Sequence, residues 1–131
     1  MGNEIGLKIA IFSWGVMGMV GIPVLVFFDP FGGWKWVPQN PIYDQMIVSI
    51  YVTVGIFSFL ALKDPLRHTS FLWFVVWSSV AHGGVMFYHA LHMEMHRGHL
   101  FGDVWILAGA IGLGLSLWQA QRRGKISNIN D

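Results

Sequence analysis

Cysteine is absent from the 131 residues, which removes disulfides, thiolate metal ligands and thiol nucleophiles from consideration. Charge is nearly as scarce. Only 11% of the residues are Asp, Glu, Lys or Arg, too few to clothe a soluble domain. A net charge of +1 supplies no basic field, and no nucleic-acid partner is expected. The long apolar runs other than the third carry neither histidine nor charge in their interiors. No nucleophile pair or substrate pocket can be picked out, and no catalytic residue is assigned.

What remains is a chain that is 54% hydrophobic with a mean hydropathy of +0.54. Crossing a hydrocarbon core of about 30 Å takes about 20 apolar residues per helix. Four segments qualify: 6–28, 45–62, 70–97 with its apolar part ending at His92, and 104–121. The expected fold is all-α, a single four-transmembrane-helix bundle over residues 1–131 with the lipid bilayer as its first partner. The first segment exceeds a signal-peptide core in length and has no small-x-small site before Asp29, so it is read as a membrane helix. Lys8, Lys63, Arg67, Arg122, Arg123 and Lys125 fall on one side of such a bundle, and Lys35 and Arg97 on the other. The positive-inside rule then makes both termini cytoplasmic in the inner (plasma) membrane and the histidine-rich end periplasmic or exterior.

Gly15, Gly18 and Gly21 in the first segment let a neighbouring backbone approach, and Pro23 removes a donor and is expected to bend the helix beyond it. The loop that follows holds Trp34, Trp36 and Tyr43 among prolines and reads as an interfacial anchor. Asp29 and Asp44 flank it as potential oxygen ligands. Thr69 or Ser70 is the expected N-cap of the third helix. In the fourth, Ala110 and Gly114 lie roughly 160° to 200° around from Ala108 and Gly112 at 100° per residue. One internal contact cannot use both faces, so a homo-oligomer or a place in a larger membrane complex is expected. The polar tail beyond Lys125 is expected to lie outside the helix.

Chemistry gathers in the third segment. On a helix that continues, His82, His89, His92, His96 and His99 share an arc of roughly 100°, with Met86 and Met93 on its flank and Asp103 inside it. Rising 1.5 Å per residue, His82 comes about 17 Å along and near the bilayer centre, and His89 about 27 Å along. A histidine at that depth needs a partner: a cofactor, for which His82 and Met86 are the candidates, or a hydrogen bond to Ser49, Thr53 or Tyr51. With no other ionisable group but tyrosines expected inside the bilayer, a carboxylate relay is not expected. His92 and His96, spaced i, i+4, present two imidazoles on one face as two ligands of one metal require. With His89, Met93, His99 and Asp103 they form the candidate metal site, and Met95 adds a further thioether. Imidazole and thioether without cysteine on an oxidising face suit copper. Haem is the alternative, although a bis-histidine haem draws its ligands from two facing helices. These residues point to a metal-handling or accessory membrane subunit. A small membrane oxidoreductase using copper or haem, and a purely structural bundle, are the competing readings.

The stretches WKWVPQNPIYDQMIVSIYVTVGIFSFLALKDPLRHTSFLWFVVWSSVAHGGVM and GHLFGDV resemble a family of small four-helix bacterial membrane proteins known as a domain of unknown function. The shared features are the Trp-x-Trp-x-Pro loop, the Tyr-acid-Gln-Met start of the second helix, the Asp-Pro-Leu-Arg-His turn, Trp-Ser-Ser-x-x-His and Gly-His-Leu-x-Gly-Asp. The resemblance implies no activity. It puts emphasis on His82, His99 and Asp103, and sets His89, His92 and His96 apart as additions.

Overall fold

The computed structural model describes residues 2–30 and 38–130, with the backbone alone for residues 2, 3, 95 and 124–130. Trp34 and Trp36, read as anchors, lie outside the described residues, as does the side chain of Met95. Four helices are long and apolar enough to cross a membrane, and no strand occurs among the described residues. The protein is a multi-pass, four-helix membrane bundle.

Helix α1 runs over Gly2–Val16, passes through a π-helical turn at Met17–Gly21 and continues as Ile22–Phe28. Within that turn the Ile22 amide donates five residues back, to the Met17 carbonyl. Pro23, which has no amide to give, follows at once. The ladder has widened just before the residue that would break it. Asp29 closes α1 in the left-handed region at φ 43° and donates its amide to Leu25, a conformation that Asp tolerates better than most residues.

Helix α2 spans Pro41–Ala61, four residues earlier than the hydrophobic pattern suggested. Asn40 caps it by accepting from the amides of Ile42 and Tyr43, and Pro41 takes the first helical position, where a missing amide does no harm. After a short 3-10 turn at Pro65–His68, α3 spans Thr69–His92. Its cap position is His68, without a side-chain hydrogen bond, rather than Thr69 or Ser70.

The largest departure from the sequence pattern is the end of α3. It stops at His92 and does not reach residue 97. Met93 is extended at φ −121° and ψ 109°, and Glu94–His96 form a 3-10 turn. Arg97 pairs with Glu94 at 3.2 Å across it. Helix α4 then begins at His99, not Val104, and runs to Asn130, so the tail expected beyond the helix continues it. The continuous stripe is therefore broken: His82, His89 and His92 belong to α3, His96 to the turn, and His99 and Asp103 to the start of α4.

The close-packed core is mainly the work of three helices. Leu7, Ile11 and Trp14 of α1, Leu72, Val75 and Val76 of α3, and Ala110, Leu113 and Leu117 of α4 are buried against one another, toward the end where the chain starts. Trp14 donates its indole N–H to the Gly109 carbonyl at 3.3 Å, and Trp73 to Gln121 at 3.2 Å. Lipid tails supply no hydrophobic force between helices, so such packing holds the bundle. Helix α2 joins chiefly through glycine. A Cβ at Gly18 would stand 2.5 Å from the Tyr51 carbonyl oxygen, and one at Gly55 would stand 2.9 Å from the Gly15 carbonyl oxygen. The α1 and α2 backbones touch there, whereas α2 and α3 make no comparably close approach.

Candidate functional site

Because α2 leans on α1 and stands off from α3, the bundle holds a chamber of about 440 Å³ toward its histidine end. All four helices and the α3–α4 turn contribute to it. Of the candidates drawn from the sequence, His82, Met86, His89, Met93, His96 and His99 line this chamber. Breaking the stripe has not scattered it. The turn folds His96 and His99 back over the mouth, so donors from α3 and α4 face one space.

His82 lies at the floor, its ring centre 6.0 Å from that of Tyr51 with the planes at 71°. His89 stands at the mouth beside Tyr88, ring centres 5.5 Å apart. His96 and His99 are 2% and 1% exposed, with ring centres 6.1 Å apart. Asp29, at the end of α1, is within electrostatic reach of His99.

Two candidates depart from the expected arrangement. His92 is exposed and does not line the chamber. Its Nδ1 is 2.8 Å from the Tyr88 carbonyl and its ring packs on Tyr88 at 4.3 Å. The i, i+4 pairing of His92 with His96 fails because the helix ends between them. Asp103, expected among the metal ligands of the histidine-rich end, does not line the chamber and is fully buried inside the bundle. Gly83 faces Ile106 and Leu107, and this antiparallel register brings Asp103 level with about Met86, one turn from His82. Neither carboxyl oxygen has a hydrogen-bond partner among the described residues, and Asp103 lies within electrostatic reach of Tyr51. Against expectation, a carboxylate lies inside the bundle.

The stripe did not announce what α2 contributes. Tyr43, Asp44, Ile47 and Tyr51 form the wall opposite the histidines. Asn40-Pro41 carried the signal: a helix starting there puts residues 43, 47 and 51 one turn apart on one face. No Lys or Arg among the described residues lines the chamber. Among the described residues, no three of His, Asp and Glu already converge on a point that would hold a metal ion.

A family model described as a family of unknown function, DUF6632, matches residues 4–123. No curated protein and no solved structure matches the chain.

Proposed function

This chain belongs to the DUF6632 family, a membership that carries no activity with it, and we propose from the geometry that it is a metal-handling or accessory membrane subunit whose chamber takes a copper-like ion. The observation that carries this reading is the pair of buried imidazoles, His96 and His99, 6.1 Å apart between ring centres in a chamber that also holds Met93 and His89. Two imidazole nitrogens each about 2 Å from one ion put their ring centres about 6 Å apart when the ligands are nearly opposed. Near-linear nitrogen ligation with a thioether close by suits Cu(I), which needs no third hard ligand. His82 and Met86 lie deeper and are the positions for a larger cofactor such as haem, and Asp103 stands behind this wall.

The test is copper content after purification from the native membrane. His96→Leu with His99→Leu is expected to remove stoichiometric copper, while His92→Ala, outside the chamber, keeps it. Full copper retained by the double variant sinks the reading. A Soret band in the parent protein moves the site to haem and the function toward a small membrane oxidoreductase.

The accessory role is supported by α4, where Ala108 and Gly112 are exposed and a Cβ at Gly112 would meet nothing within 4 Å, while Ala110 and Gly114 are buried. That leaves a smooth face for a second copy or a larger subunit. Sidedness is proposed from charge: a cysteine at Asn40 or Gly98 should be labelled from outside intact cells, and one at Asp64 should not. Reversed labelling places the chamber on the reducing side and removes the argument for an oxidising face.

A further inference from the structure

We infer that the chamber also receives the headgroup of an isoprenoid quinone dissolved in the bilayer, admitted between α2 and α3. This goes beyond the metal reading and does not depend on it, because it concerns the floor of the chamber and the seam beside it.

The seam comes first. α2 and α3 are sequence neighbours that lack the close backbone packing joining α1 to α2 and α3 to α4. Along the same seam, a second apolar hollow is lined by Ile50, Val54, Phe57, Phe71 and Phe74. Ile50, Phe57 and Phe74 are all more than half exposed, so in a membrane they meet lipid. The hollow offers a place for a prenyl tail beside a chamber sized for a ring, since small-molecule sites run from about 300 to 1,000 Å³.

The floor then selects the ring. Tyr51 is ten residues into α2 and His82 ten residues before the end of α3, each about 15 Å along its helix from the histidine end and near the middle of a hydrocarbon core of about 30 Å. A phenol and an imidazole at that depth, 6.0 Å apart between ring centres, are a donor and an acceptor or donor with no water to serve them. With Tyr43 and His89 they also offer four flat rings for stacking. Among the described residues no Lys or Arg lines the chamber, and Asp44 is part of its wall. Phosphate and carboxylate headgroups would be buried there without a counter-charge from any described residue. A neutral flat ring with hydrogen-bonding oxygens and an apolar tail satisfies every one of these constraints.

The experiment uses the full chain, stripped of metal with chelator, in phosphatidylcholine nanodiscs, and measures equilibrium binding of a short-tailed benzoquinone. Saturable one-to-one binding is expected. Tyr51→Phe, which removes only the hydroxyl, should weaken it by up to about tenfold, the worth of one hydrogen bond, and His82→Leu similarly. Val85→Trp, on the seam side of the chamber wall, should slow association, and His92→Ala should change nothing. Lipid extracts of protein purified from its native membrane should be enriched in quinone over the bulk membrane. Absence of saturable binding, indifference to both floor variants when each remains folded, or enrichment of an anionic lipid in place of quinone would overturn the inference. Because metal is absent from the binding measurements, failure of the copper reading leaves their outcomes unaffected.

Discussion

Gly18→Val is expected to detach α2 from the bundle, with loss of the folded protein in mild detergent and of the chamber with it. The new Cβ would stand 2.5 Å from the Tyr51 carbonyl oxygen and 3.0 Å from both Cα and N of Gly55. All three obstacles are backbone, so no side chain can rotate away and the helices must separate. Overpacking costs about 1–3 kcal/mol where neighbours adjust, and more where they cannot. α2 has little else to offset it, since Ser58 and Ala61 are its buried side chains. Gly84→Ala is the control, because a Cβ there meets nothing within 4 Å and alanine favours the helix by up to about 1 kcal/mol. Thermal unfolding followed by circular dichroism reads both. An unchanged midpoint for Gly18→Val would show that α1 and α2 do not meet at this glycine.

The second large effect runs the other way. Asp103→Leu is expected to stabilise the bundle by about 1–3 kcal/mol, the cost of burying a polar group without a hydrogen bond. The carboxyl is fully buried, and neither oxygen has a hydrogen-bond partner among the described residues. Leucine keeps the branched outline and has nothing to satisfy. Asp103→Asn keeps the outline more closely and isolates the loss of the ionisable group. A higher unfolding midpoint for Asp103→Leu would mark Asp103 as a residue kept against stability, which is the signature of a functional position. A clear loss of stability in both variants would mean that the carboxyl is satisfied by a water or an ion that its removal strands.

The fold was legible because a bilayer leaves few options. Once a segment is apolar for about 20 residues it must satisfy its own backbone, and a helix is the way a single segment does so. Helix ends were less legible, because hydropathy marks where lipid begins and not where hydrogen bonding stops. Asn40-Pro41 started α2 upstream of its apolar run, and α4 continued through polar residues to Asn130. Of the candidate site, the sequence marked six residues that line the chamber, while His92 and Asp103 fall outside its lining and the expected shape was wrong. Angular periodicity placed His82, His89, His96 and His99 together only on the premise of one unbroken helix. They do come together, with the chain reversing direction between His92 and His99. What periodicity could not supply was the far wall. Tyr51 meets His82 across a gap between helices, and such a pairing depends on how far α2 stands off, which the glycines of α1 decide.

Two of those glycines, Gly18 and Gly21, lie in a turn with a consequence for insertions and deletions. A π-helical turn is an α-helix carrying one surplus residue, so the stretch Met17–Gly21 sets the phase of everything beyond it, much as a frameshift sets the reading of a message. Removing a single residue there would let the ladder close regularly and leave the two halves of α1 in nearly the same mutual orientation, because a π-helical turn uses one residue more than an α-helical turn for about the same rotation. Leu7 and Ile11 would keep their places in the core, and Ile22 and Val26, which line the chamber, would stay on its wall. Deletion of Met19, inside the turn, should thus be better tolerated than deletion of a residue in the regular part of α1, which would turn everything beyond it by about 100°.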